Sequence, residues 1–291
     1  MLSYSTDGVN YTSPRHHMCV MDELLHKRYE GKAYLKYEVN IDTPPKKCTL
    51  LAENTNTISI KINGKTVGMA DKSDFDVCSL AYDVAKLLKV GKNEIVMEIN
   101  YFQKEDVYYA LFGENVTESL KNCLAYDTDI EPIYLCGDFG VYGDFTDCED
   151  GRVRGENFRI GEQKTRVEGL IKEGFPFFKG DITLGQKVEL NDTGYTLFVP
   201  KQFHIIDVTV NGKYAGRMMF SQHLDISKYL KKGENVIELT TTVGLRNLLG
   251  PFHTHREDRF VGPDTFERFG SWRDGQSRSF EPKYAFVKNI I

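Results

Sequence analysis

Apolar and polar residues alternate along Tyr34-Leu35-Lys36-Tyr37-Glu38-Val39-Asn40-Ile41, again at Ile58, Ile60 and Ile62 around Ser59 and Lys61, and again at Ile95, Met97 and Ile99. A period of two places successive side chains on opposite faces of a strand, so these stretches predict antiparallel strands with one face buried and the other wet. Asn63-Gly64 follows the second strand and supplies the two φ > 0 positions of a tight hairpin. Residues 83–88 predict one or two helical turns, and Gly91-Lys92-Asn93 then turns the chain into the third strand. The same succession returns later. Strands are predicted at 177–184, 187–190 and 207–210, a hairpin at Asn211-Gly212, a helical turn over 224–230 and a second Gly-x-Asn at Gly233-Glu234-Asn235. The two Asn-Gly pairs lie 148 positions apart and the two Gly-x-Asn turns 142 apart, so one supersecondary unit is used twice with only a few loop residues of difference.

This pattern predicts an all-β chain of two antiparallel β-sandwich domains in tandem, residues 31–160 and 161–291. Residues 1–30, with weak periodicity, Pro14, the His16-His17 pair and a short helical stretch near Asp22, are expected as a lead-in. The charged stretch 151–174 marks the change of domain, and Tyr284-Ala285-Phe286-Val287 predicts a last strand returning to a sheet.

Composition narrows the function. A length of 291 residues is where a single core stops growing, in keeping with two domains. A net charge of −5 leaves no basic stripe for phosphates, so neither nucleic acid nor an anionic membrane is expected as a partner. No run of eighteen apolar residues occurs, and the start Met1-Leu2-Ser3-Tyr4-Ser5-Thr6-Asp7 has neither a basic nor an apolar leader region, so a soluble, cytoplasmic chain is expected. The six cysteines are scattered, without a Cys-x-x-Cys, and are expected as reduced, mostly buried thiols.

Copy one runs from Ile62-Asn63-Gly64-Lys65 through Asp83-Val84 to Leu87-Leu88-Lys89-Val90-Gly91-Lys92-Asn93-Glu94-Ile95. Copy two runs from Val210-Asn211-Gly212-Lys213 through Leu224-Asp225-Ile226 to Gly233-Glu234-Asn235-Val236-Ile237. Both resemble the galactose-binding-like jelly roll, the sugar-binding domain of glycoside hydrolase family 2 and its α-L-rhamnosidase relatives. The resemblance implies two jelly-roll domains that flank a separate catalytic barrel. It carries no catalytic residue into these positions, because Asn-Gly and Gly-x-Asn specify turns rather than a ligand.

Candidate chemistry gathers beyond the second copy. His253-Thr254-His255 on a strand would place two imidazoles on one face, as a metal site needs, with Glu257 or Asp258 as a third ligand. No third His follows at a matching distance, and a polar loop docking on a sugar or another domain is the better reading. Trp272, the only tryptophan, offers a ring face to the C–H side of a sugar. With Arg246, His253, His255 and Arg273 it forms the predicted ligand-binding set. Acidic residues cluster at Asp138, Asp144, Asp147, Glu149 and Asp150, and at Asp127, Asp129 and Glu131. A structural calcium at a rim loop, or the acid and base of a glycosidase, would use such carboxylates, but a solvated acidic edge is the simpler expectation, and no cofactor is assigned. No Gly-x-Ser-x-Gly or phosphate-binding glycine loop occurs. The expected function is that of a non-catalytic, carbohydrate-associated tandem module of a glycoside hydrolase-like protein. Its expected partners are a carbohydrate, a glycoside hydrolase catalytic domain, or a second copy in a homo-oligomer. A purely structural module and a stand-alone glycosidase are the alternatives.

Overall fold

In a computed structural model of the chain the described residues are 1–53, 56–73, 77–149, 151–167, 169–199, 205–248 and 284–287. They divide into two compact units, one of residues 1–143 with 157–164, the other of 144–156 with 165–248 and 284–287. The structure is mostly β and antiparallel, as the alternation predicts.

The first unit contains β1 (Ser3–Ser5), α1 (His17–His26), β2 (Gly31–Ile41), β3 (Cys48–Glu53), β4 (Thr57–Ile62), β5 (Lys65–Thr66), β6 (Asp71–Lys72) and β7 (Ser79–Asp83). It continues with β8 (Gly91–Tyr101), α2 (Glu105–Phe112), α3 (Glu118–Asn122), β9 (Tyr134–Gly137), the start of β10 (Gly140–Asp147) and the end of β11 (Arg152–Gly161). One sheet runs β2-β8-β4-β5 and the other β6-β7-β3-β9. Strands β2 and β8 pair over their whole length, from Gly31 opposite Tyr101 to Ile41 opposite Gly91. Every second residue of β8 from Asn93 to Tyr101 is buried, and Ile95, Met97 and Ile99 share one core with Leu35, Leu50, Ala52 and Ile62. Burying each such Leu or Ile stabilises the fold by about 1.5–3 kcal/mol before entropy is counted. Residues 1–30, expected only as a lead-in, enter this core. Tyr4 pairs opposite Leu35, and Leu2, Val20 and Leu24 are buried with it.

The second unit contains the rest of β10 and β11, then β12 (Gly180–Leu190), β13 (Thr196–Phe198), β14 (Ile206–Val210), β15 (Lys213–Met218), β16 (His223–Asp225), β17 (Gly233–Val243) and β18 (Tyr284–Val287). Its sheet order, β12-β17-β14-β15, matches β2-β8-β4-β5 strand for strand, and β13 pairs with β16 as β3 pairs with β7. β18 lies antiparallel to Arg152–Gly155 of β11, and its Phe286 is fully buried against Phe145 and Phe177. Ile206, Val208, Val210 and Met218 form the centre of the core.

One hydrogen-bonded clasp recurs in both units. Asn63, at φ 52°, donates from Nδ2 to the Leu87 carbonyl at 3.0 Å and to Asn93 Oδ1 at 2.8 Å, and its Oδ1 accepts from the Glu94 amide at 3.2 Å. Asn93 donates in turn to the carbonyls of Lys89 and Gly91, at 2.7 and 2.9 Å, and accepts from the Lys89 amide at 2.9 Å. In the second unit Asn211 donates to the Tyr229 carbonyl at 3.0 Å and to Asn235 at 2.8 Å, and accepts from the Val236 amide at 3.0 Å. Asn235 closes on Lys231 and Gly233 with contacts of 2.7–3.0 Å. Asn93 and Asn235 are both fully buried, so each amide is there to satisfy backbone groups that water cannot reach. The predicted helical turns are short 3₁₀ turns, Ala85–Leu87 and Ser227–Tyr229, and each presents the carbonyl that Asn63 or Asn211 takes up.

Other expectations change. The strand expected at 177–184 starts at Gly180 and continues without a break to Leu190, while Phe175 packs on Phe178 ahead of it. Of the six thiols only Cys19 and Cys48 are buried, Cys148 is half-buried and Cys78, Cys123 and Cys136 are exposed, so the expectation of mostly buried thiols does not hold. Among the described residues no helix is long and apolar enough to cross a membrane.

Candidate functional site

The predicted ligand-binding set meets the described structure at one point. Arg246 falls in the 3₁₀ turn Leu245–Asn247 that follows β17, where the backbone is described but the side chain is not. His253, His255, Trp272 and Arg273 lie outside the described residues, as does the His-x-His metal expectation. Among the described residues no group of three or more His, Cys, Asp or Glu side chains is placed to hold a metal ion.

Among the described residues, one site with chemical content is a cavity of about 110 Å³ in the first unit. One wall is α1. His17, Met21 and Leu25 recur at intervals of four, with Met18 and Asp22 beside them, so a single helical face supplies the wall. His16 caps this helix, its Nδ1 accepting from the Met18 amide at 3.3 Å. A second wall is the end of α2, Leu111 and Phe112, and the third is the segment Tyr126, Asp129, Ile130 and Glu131.

This last segment has no regular secondary structure, and side chains hold it instead. Buried Thr128 accepts from Asn56 Nδ2 at 2.7 Å and from the Phe102 amide at 3.3 Å, and its carbonyl accepts from Gln103 Nε2. Asp127 accepts from the Lys104 amide at 2.8 Å and pairs with its ammonium group at 2.6 Å. With Thr128 and Ile130 pinned inward, Asp129 and Glu131 become cavity wall rather than the solvated edge that composition suggests.

Burial dominates the electrostatics here. Desolvation, reinforced by the charges of Asp129 and Glu53, pushes the Glu131 carboxyl up to about 7, and desolvation also raises Asp129. Across the cavity burial pulls the His17 imidazole down to about 3 and His16 to about 4, so both rings are neutral at physiological pH. The two rings lie with centroids 4.1 Å apart, tilted by 38°. Asp22, only 4% exposed, holds His26 Nδ1 at 3.1 Å. The Tyr37 hydroxyl is buried without a hydrogen-bond partner among the described residues, and burial with the nearby Glu131 charge raises it. The cavity thus joins two carboxyl groups whose neutral forms burial favours, a neutral imidazole and an apolar floor. The sequence signals were present in the His16-His17 pair and in the Asp127, Asp129, Glu131 alternation. What no periodicity shows is that α1 and the 126–131 segment face each other.

No family model and no curated protein matches the chain. Among solved structures it is similar to a β-D-mannosidase from Dictyoglomus thermophilum, 11% identical at a TM-score of 0.32, over 84% of this chain and 30% of that one. It is similar to a GH2 β-galacturonidase from Eisenbergiella tayi, 14% identical at 0.28, over 83% and 35%, and to a β-glucuronidase from Ruminococcus gnavus, 12% identical at 0.32, over 84% and 45%. The chain spans less than half the length of each.

Proposed function

We propose that the chain is a non-catalytic, carbohydrate-associated tandem β-sandwich module of a glycoside hydrolase-like protein, each copy of the galactose-binding-like jelly-roll type. The observation that supports this reading is the asparagine clasp. The motifs that carry the resemblance to sugar-binding domains fold into the same hydrogen-bonded turn pair on the same strand order in both units. The ligand set of the proposal remains Arg246, His253, His255, Trp272 and Arg273.

Titration calorimetry against galactosides, rhamnosides, glucosides and uronides tests it. Saturable binding of at least one glycan is expected, weakened up to about tenfold in Trp272→Ala, since an aromatic contact contributes on the order of 0.5–1.5 kcal/mol. Silence across the panel with a folded protein would sink the binding role. A second reading, a structural module that packs on a catalytic domain or on itself, draws on Phe220, 97% exposed beside exposed Met219. Light scattering decides it: a monomer at all concentrations removes the self-associating form.

A further inference from the structure

We propose that the cavity between α1, α2 and the 126–131 segment binds a small primary amine, its ammonium group between Asp129 and Glu131 and its hydrocarbon part against Met21, Leu25, Leu111 and Phe112.

Four observations lead there. First, no Lys or Arg lines the cavity, and among the described residues Asp129 and Glu131 have no basic side chain at ion-pair distance. Asp129 accepts only from the adjacent Ile130 amide, at 2.8 Å. Carboxyls drawn out of water without a counter-ion leave a site complementary to a cation. Second, His17 is held neutral by burial, so it does not oppose an incoming positive charge.

Third, the lining is apolar over most of its extent and places no three ligating groups together, which favours an organic cation over a bare metal ion. An ammonium group carries three donors and no acceptor, matching carboxylates that offer acceptors. Fourth, the volume of about 110 Å³ is below the roughly 150 Å³ that accommodates benzene, so the enclosed part of the ligand has about four or five non-hydrogen atoms.

Binding is linked to protons. Glu131 is faced by Asp129 on its own segment, Glu53 on β3, Tyr37 on β2, Tyr134 on β9, and His17 and Asp22 on α1 across the cavity. An ammonium ion favours the ionised carboxylate, so binding releases a proton in the range where Glu131 titrates and strengthens as pH rises through about 7.

The test is calorimetric titration of the full chain with n-butylamine, with 1-butanol and calcium chloride as controls, at pH 5 and pH 8. Saturable one-to-one binding of butylamine at pH 8 is expected, about tenfold weaker at pH 5 and about tenfold weaker in Glu131→Gln and in Asp129→Asn. Proton release at pH 6–7 should appear as a dependence of the heat on the buffer. The proposal is overturned if butylamine binds no better than 1-butanol, if calcium takes the site instead, or if wild-type binding is the same at both pH values. The pH comparison uses wild-type protein, so it stands even where a variant fails to fold. None of these outcomes depends on whether the chain takes a glycan at Arg246, His253, His255, Trp272 and Arg273.

Discussion

Glu131 and the His16-His17 pair give the first unit opposing responses to pH. The Glu131 carboxyl lies near 7 in the folded chain against an ordinary 4.5, so its contribution to stability is fully present below pH 4.5 and is lost as pH rises toward 7. The two imidazoles run the other way. Their folded values near 4 and 3 lie below the ordinary 6.5, so their contribution is present above pH 6.5 and is lost as pH falls through about 4. Between pH 4.5 and 6.5 the trends offset each other, and only a difference measurement isolates the carboxyl. Thermal unfolding of Glu131→Gln and of the wild type should give the same midpoint at pH 4.5. At pH 8 the Gln variant should be more stable by about 1 kcal/mol, a share of the full shift reduced for partial solvent exposure and equal to roughly 3 °C. A variant no more stable than the wild type at pH 8 would mean that Glu131 is solvated after all. From sequence alone Asp129 and Glu131 read as part of a solvated acidic edge. The reason is physical: exposure of a carboxyl in an irregular segment depends on which neighbours are pinned, and Asn56 and Gln103 pin Asp127 and Thr128 from 71–72 and 24–25 positions away.

At the scale of elements, the repeated turn pair was the most legible part of the fold because its chemistry is local. Asn63 and Asn211 adopt φ near 50°, a conformation Asn tolerates, and Gly64, Gly91, Gly212 and Gly233 all have positive φ, so the dipeptides alone announce the hairpins. Strand alternation likewise located β2, β4 and β8. Helices α2 and α3 went unseen, since eight and five residues give too few turns for a 3.6-residue period to stand out. The role of Asn93 and Asn235 was hidden too, because a side chain that satisfies buried backbone groups looks in sequence like one more turn asparagine. Asn93→Ala leaves the Lys89 amide and the Lys89 and Gly91 carbonyls without their side-chain partner, and removes the acceptor for Asn63. A loss of about 2–4 kcal/mol is expected from such buried orphans. Asn235→Ala should cost a similar amount in the second unit, because the same contacts are lost there. Chemical denaturation of the two variants checks this. A loss under about 0.5 kcal/mol in either would show that water replaces the amide and that the clasp is incidental.

For the whole molecule, the equivalent strands predict unequal stability. Ala33, Leu35 and Ile41 on β2 are buried, under 4% exposed, beneath the four-stranded sheet β6-β7-β3-β9. Their counterparts in sequence order on β12, Ile182, Leu184 and Leu190, are only half-buried, and the partner sheet of that unit among the described strands is the two-stranded β13–β16. Each strand pair has the same eleven-residue antiparallel register, so the backbone hydrogen bonds are equivalent and the difference lies in side-chain burial. Local opening free energy follows buried apolar contact, which makes β12–β17 the easier pair to open. Hydrogen exchange followed by mass spectrometry should therefore show the amides of β17 exchanging on the order of ten times faster or more than those of β8, the factor given by a difference of about 1.4 kcal/mol. Adding a glycan that binds the second unit should slow β17 and leave β8 unchanged, whereas butylamine should protect α1 and the 126–131 segment and leave β17 unchanged. Equal protection of β8 and β17 without ligand would show that something covers the β12–β17 face in solution.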